Sequence, residues 1–444
     1  MEKASKTQEM LDLWCSAPDI EFISVEAEEA YKSRTKRIAD AIQLKTPDRV
    51  PITPMWEYYY AIYSKVSCYD CLYDPDIARW AVKKTITELK PDGFEAPFFY
   101  MTGPILDALG EKDLIWPGHG VAYNTAHQYI EGEYLKANEY EALIQDPTDC
   151  MLRIFLPRVC GNLKGFGALA PLRNTFAYYS MFGQFAALGT PEGKEALNAL
   201  AKAGEASLAY VDWLNAVGKE IYALGFPSWV GAFSLAPFDA VGDTLRGTHG
   251  TMMDMYRQPE VLKEACEKFM WILFDLATSM AKAAKNPIVF IPLHKGTAST
   301  RDGKGGFMSM DQFEEFYWPT LRKLMLKLIE NGLVPNLLIE GDYTSRLEII
   351  KDVPPGTCVY HFEDVDIPKA KKVLGGRVCL RGKVPIKVMW MGTPQDVRDY
   401  CKELIDVWGE GGGFLMDMSM ATEQVKPENM KALIEFTKEY GVYR

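Results

Sequence analysis

Residues 288–339, IVFIPLHKGTASTRDGKGGFMSMDQFEEFYWPTLRKLMLKLIENGLVPNLLI, hold one complete repeat of the pattern that decides the fold. A short β-rich run at 288–293 is followed by a Gly-rich loop. A stretch at 311–331 then carries Leu321, Leu324 and Leu328 at helical spacing, and a second β-rich run follows at 336–339. Asn331-Gly332 supplies the stop that ends such a helix. The alternation continues to the C-terminus. Runs at 357–362, 377–380 and 414–416 read as strands. The helices between and after them end at Leu374 before Gly375-Gly376, start at Thr393-Pro394, and start at Pro427. Parallel strands joined in this way need right-handed crossovers, which close as a barrel or open as a doubly wound sheet. Neither GxGxxG after a first strand nor a Walker loop is present, so both nucleotide signatures of the open sheets are missing. The expectation is an α/β protein, a (β/α)8 TIM-type barrel, with residues 1–444 forming one domain.

Upstream, residues 25–44 read as an amphipathic helix with Tyr31, Ile38 and Ile42 among charged residues, ended by Pro47. Residues 1–46 are therefore expected to be an N-terminal helical extension. A first strand near 50–53 leads into an aromatic cluster of Trp56, Tyr58, Tyr59, Tyr60 and Tyr63. Alternation between 123 and 134 predicts a small β-hairpin insertion outside the barrel, closed by a helix beginning near Asn138.

Composition narrows the function classes. Apolar residues make up 48% and charged residues 25%, ordinary for a chain that buries a large core. The net charge is −11 with no dense basic run, which gives a nucleic-acid partner no electrostatic support. No stretch approaches eighteen consecutive apolar residues and the start, MEKASKTQEM, lacks signal-peptide order, so no membrane association and a cytoplasmic location are expected. The nine scattered cysteines suit reduced thiols, and the lone CxxC of Cys68 and Cys71 reads as incidental.

Barrel enzymes assemble their sites from residues at the carboxyl ends of the strands. Here those ends carry His294, Glu340 with Asp342, His361 with Glu363, Arg381, and Asp417. Every late strand thus delivers an ionisable group to one rim. Imidazole and carboxylate donors suit zinc. Glu340 and His361 are the leading ligands, with His294, Asp342 and Glu363 available for the remaining positions. A metal-free acid/base pair is the alternative, because the donors come from separate strands. Dense aromatic runs at Trp56 to Tyr63, Phe94 to Tyr100 and Phe176 to Tyr179 would suit a mouth that takes a flat aromatic substrate.

The segments IADAIQLKTPDRVPITP (38–54), GAFSLAPFDAVGDTLRG (231–247), DMYRQPEVLKEAC (254–266), GGFMSMDQFEEFYWP (305–319), KAKKVLGGRVCLRGKVP (369–385) and VKPENMKALIEFTKEYG (425–441) resemble the uroporphyrinogen decarboxylase superfamily over nearly the whole chain. The tetrapyrrole decarboxylases of that superfamily carry an arginine-rich segment after the first strand, where this chain has MWEYYYAIY without Arg. Its corrinoid:thiol methyltransferases carry H-x-C and a later Cys. The matching positions here are Glu340-Gly341-Asp342 and Met420.

The pattern most resembles the first methyltransferase of anaerobic O-demethylases, which cleaves aryl methyl ethers and passes the methyl to a corrinoid protein. That resemblance implies zinc held by Glu340, His361, His294 and Asp342, and cobalamin carried by the partner. The upstream Glu expected with such a pair falls at Met325. It further implies catalytic places for His361, Glu363, Asp342 and Arg381, and substrate contacts from Trp56, Tyr58, Tyr59, Phe98, Tyr178 and His294. Arg381 and Lys383 are expected to hold a substrate carboxylate or the partner. A homodimer is compatible with this reading. The alternatives are methyl transfer from a methylcorrinoid to a thiol or folate, a tetrapyrrole decarboxylase, and a non-catalytic binding barrel.

Overall fold

The computed structural model describes residues 6–298, 306–419 and 423–443; the Gly-rich loop and Met420 lie outside them. A small three-stranded sheet comes first, β1 (Leu114–Pro117), β2 (Gly120–Val121) and β3 (Gln128–Tyr129), in the order β2-β1-β3. A six-stranded parallel sheet follows in strict chain order: β4 (Ala232–Phe233), β5 (Ile288–Leu293), β6 (Val334–Asp342), β7 (Val359–Asp364), β8 (Cys379–Val384) and β9 (Phe414–Met418). Two bridged segments close it. Ile52 pairs in parallel with Met416 of β9, and Phe94 pairs in parallel with Ser228 just before β4. Asp92 N donates to Ile52 O at 2.9 Å, which joins the two segments to each other. The result is a closed (β/α)8-type barrel.

The first barrel segment forms a bridge rather than a strand because Pro51 and Pro54 flank Ile52 and cannot donate to a ladder. The inserted hairpin also differs from expectation. β3 supplies its second strand, but the first lies at Leu114–Pro117, ahead of the predicted 123–134 window, and 123–127 forms a turn. The helix expected at 311–331 runs from Met310 to Glu330 with one π turn at Phe313–Tyr317. Pro319, which has no N–H to give the preceding turn, accounts for that widening.

The amino-terminal helices, Lys6–Cys15 and Val25–Ile42, close the bottom of the barrel. Ser24 caps the second by accepting from Ala27 N at 3.2 Å. Leu11, Trp14, Ile38 and Ile42 pack in one cluster with Ile288, Val334, Val359, Cys379, Leu415 and Trp229. These residues therefore line the barrel interior at its amino-terminal end, and the period of two along each strand sets which later residues face inward.

Candidate functional site

Two residues further along the same strands the interior turns polar: Asn336, His361, Arg381 and Asp417, all fully buried. His361 lies level with Leu338 on one side and Arg381 on the other. Arg381 Nη2 lies 2.6 Å from Asp417 Oδ2 and 3.5 Å from Glu95 Oε1. It donates to Thr53 O at 2.7 Å, and its guanidinium sits 4.0 Å from the centre of the Trp229 ring. His361 Nε2 lies 2.7 Å from Met418 O, which only accepts, so the proton is on Nε2. Burial, reinforced by the Arg381 charge, holds His361 well below the usual imidazole range. Burial pushes Asp417 up to about 6 in spite of Arg381.

At the rim a second cluster gathers around His294, the residue after β5. Its Nδ1 is 2.6 Å from Asp243 Oδ2 and its Nε2 3.3 Å from Glu340 Oε1. Lys295 Nζ reaches Asp243 Oδ1 at 2.7 Å. Asp239, one helical turn before Asp243, accepts from His294 N at 2.9 Å, Lys295 N at 3.0 Å and the Tyr317 hydroxyl at 2.6 Å. Burial, then the charge of Asp243, pushes Asp239 up to about 7. Burial would also raise Asp243, but His294 and Lys295 hold it below its usual range. Burial alone would lower His294; hydrogen bonds to Asp243 and Glu340 outweigh it and bring the imidazole to about 11. Asp239, Asp243 and His294 each offer a donor atom within 4.8 Å of the others, the geometry of a candidate cation site.

The third feature is a cavity of about 320 Å³ lined by Met55, Phe98, Phe99, Phe233 and Phe290, with the carboxyls of Glu57 and Glu95 in its wall. Burial, then the charges of Glu423, Glu95 and Glu340, pushes Glu57 up to about 8. Burial pushes Glu95 up to about 7 against the pull of Arg381. Glu57 also holds a left-handed backbone, φ 38°, which costs a non-glycine residue energy and concentrates at functional positions.

Several expected site residues are placed elsewhere. His361 does not join Glu340: it sits a layer deeper, bonded to a backbone carbonyl, because the two strands stagger it level with Leu338. Glu363 Oε2 accepts from Gly341 N at 2.6 Å and Asp342 Oδ1 from Thr344 N at 2.7 Å, so both carboxylates shape the end of β6 and the turn after it. Met325, where a further ligand would fall, is buried in the helix Trp318–Glu330. Trp56, Tyr58 and Tyr59 are core: Trp56 stacks on Tyr59 at 5.8 Å, and Tyr58 packs on Phe99 at 5.9 Å. Phe98 lines the cavity. Tyr178 is 75% exposed beside Tyr179 and Phe182 and is not among the residues that line it.

Glu57, Glu95, Asp239 and Asp243 were not singled out from sequence. The i, i+4 carboxylates in PFDAVGD and the lone acid in MWEYYYAIY were the available signals.

An eight-membered parallel barrel with ionisable groups at the carboxyl ends of its strands defines the class. Residues 190–440 match the family model described as uroporphyrinogen decarboxylase (URO-D). The chain belongs to that family. Among curated relatives it is 23% identical over 252 residues to uroporphyrinogen decarboxylase of Chlorobaculum parvum, covering 53% of this chain and 66% of that protein. It is 26% identical over 224 residues to the methylcobamide:CoM methyltransferase MtbA of Methanosarcina acetivorans, covering 50% of this chain and 60% of that protein. The matches span about half to two-thirds of these relatives' lengths. A solved methyltransferase from Methanosarcina mazei superposes with a TM-score of 0.57 at 16% identity, over 93% of this chain and 98% of that one, and so shares the fold. No helix among the described residues is long and apolar enough to cross a membrane.

Proposed function

We propose that the chain is a corrinoid-dependent methyltransferase that demethylates aryl methyl ethers and passes the methyl group to the cob(I)alamin of a corrinoid protein. The observation that carries this reading is an aromatic-lined cavity whose wall holds a carboxyl, Glu57, protonated at neutral pH. At about 320 Å³ the cavity lies at the small end of ligand pockets, sized for one ring rather than a four-ring macrocycle. The described cavity wall also holds no Lys or Arg to pair the carboxylates of a polyanion, which weighs against tetrapyrrole decarboxylation.

An aryl ether is inert because phenolate leaves poorly, so the protein must stabilise the oxygen as the methyl departs. In this reading Phe98, Phe99, Phe233 and Phe290 bind and orient the ring and exclude water. The partner's corrinoid would supply the acceptor for the methyl group as the methyl–oxygen bond breaks. Glu57 gives its proton to the departing oxygen, is left as carboxylate, and is reprotonated from solvent. Glu95, held by Arg381, keeps the cavity floor fixed.

One imidazole and two carboxylates form a donor set that suits zinc, so His294, Asp243 and Asp239 are the residues that would hold it, with Glu340 on the far imidazole nitrogen orienting the ring. When bound there, zinc would supply a Lewis acid at the rim of the barrel. Without it, Lys295 and the protonated His294 balance the same carboxylates.

The similarity to MtbA supports a second reading, methyl transfer from a methylcorrinoid to a thiol. No cysteine lines the described cavity. The experiment is incubation with a panel of methoxyarenes and a reduced corrinoid protein, followed by absorbance. Formation of methylcobalamin is expected; an unchanged spectrum across the panel refutes ether cleavage. Loss of methylcobalamin to a thiol with no ether present would establish the second reading.

A further inference from the structure

We infer that the cavity bounded by Glu57 and Glu95 selects an uncharged aromatic ring and rejects a ring bearing a carboxylate. The inference deepens the ether-cleavage reading and rests on it for the word substrate, but not for the binding preference itself.

Among the described residues the walls are apolar except for two carboxyls, and they include no Lys or Arg. Among the described residues, the cations at the ends of β5 and β8 are already paired. Lys383 Nζ lies 2.7 Å from Asp364 Oδ1, and Lys295 Nζ lies 2.7 Å from Asp243 Oδ1. Arg381 serves both Asp417 and Glu95. Its Nε and Nη1 are buried without hydrogen-bond partners, but they lie behind Glu95 and Asp417, on which the guanidinium already acts. Arg381 and Lys383 are thus each paired to one of the protein's own acids.

A benzoate entering the cavity would give up its hydration and meet no Lys or Arg among the described wall residues, and burying an unpaired charge is among the costliest events in a protein interior. A neutral methoxyarene loses little hydration and gains stacking and edge contacts with the phenylalanines. A carboxyl at Glu57, kept protonated by burial, can also donate to an ether or phenol oxygen of such a ring. A cationic ring incurs the same cost of buried charge, and Glu57, kept protonated by burial, offers it no carboxylate.

The test is calorimetric titration of the full chain at pH 7 with three rings that share one methoxy group: 2-methoxyphenol, 4-hydroxy-3-methoxybenzoate and 2-methoxybenzylamine. The expected result is binding of 2-methoxyphenol at least about tenfold tighter than either charged ring, a difference of about 1.4 kcal/mol. Equal or tighter binding of the benzoate or the amine overturns the inference, as does absence of binding by all three. Glu57→Lys, which adds a cation to the wall, should narrow the gap between the neutral ring and the benzoate. If that variant fails to fold, Glu95→Gln should narrow the gap less, and no narrowing counts against the inference. Methyl transfer from the same rings is scored separately. Selective binding of the neutral ring without transfer refutes ether cleavage and leaves the selectivity standing; efficient transfer from the benzoate does the reverse.

Discussion

Arg381 Nη2 and Asp417 Oδ2 meet at 2.6 Å inside the barrel, where neither side chain has any exposure to solvent. A pair buried this deeply contributes little by itself, because the desolvation of both ions offsets their attraction. Removing one partner is different. Arg381→Met leaves Asp417 and Glu95 together without a cation, and a loss of about 3–5 kcal/mol is expected in chemical denaturation. The double change of Arg381→Met with Asp417→Leu should recover much of it. A single variant as stable as the parent would show that the pair is not sequestered.

Glu57→Gln keeps the shape of the cavity wall and removes its transferable proton. Under the proposed mechanism, methylcobalamin formation should slow on the order of 10²-fold, within the range for loss of a general acid. The parent's rate should fall as pH rises through about 8, where Glu57 loses its proton. The variant should lack that alkaline fall, and an identical pH profile in both proteins would remove Glu57 from the acid role.

Zinc content tests the rim cluster independently of turnover. His294→Ala and Asp243→Asn each remove a donor from the set of Asp239, Asp243 and His294. After dialysis, elemental analysis should show zinc in the parent and at least about tenfold weaker retention in either variant. Full retention in His294→Ala would place any bound zinc elsewhere.

Stability should fall as pH rises from 6.5 to 8.5. Glu95 and Asp239 at about 7 and Glu57 at about 8 keep protons in the fold that an unfolded carboxyl releases near 4. Their contribution is complete at low pH and is lost as pH climbs through those values. His294, raised to about 11, acts in the same direction above 6.5. His361, depressed by burial, costs stability only below 6.5, where the unfolded imidazole takes up a proton. The melting temperature should therefore drop across this window by about 1–2 °C for each kcal/mol lost in a chain of this size. The drop should be smaller in Glu57→Gln, and a melting temperature that rises with pH would contradict the assignment.

The barrel was legible in the alternation itself. Short β-rich runs at 288–293 and 357–362, a period near 3.6 between them, and Gly or Pro at the joints are local properties, and local properties survive in a single sequence. The sequence also determined that His294 and Glu340 stand at strand ends, because a strand end is a position along the chain.

Which of those residues meet was settled only in three dimensions. Strand stagger puts His361 level with Leu338 and Arg381 rather than with Glu340. The helix-borne Asp239 and Asp243 arrive from a neighbouring βα unit, about fifty residues before His294. The aromatic run after the first strand was equally ambiguous, since Trp56 and Tyr59 turn into the core while Glu57 between them faces the cavity. Contacts of that kind depend on closure of the ring, and ring closure brings together residues whose separation along the chain carries no local signal.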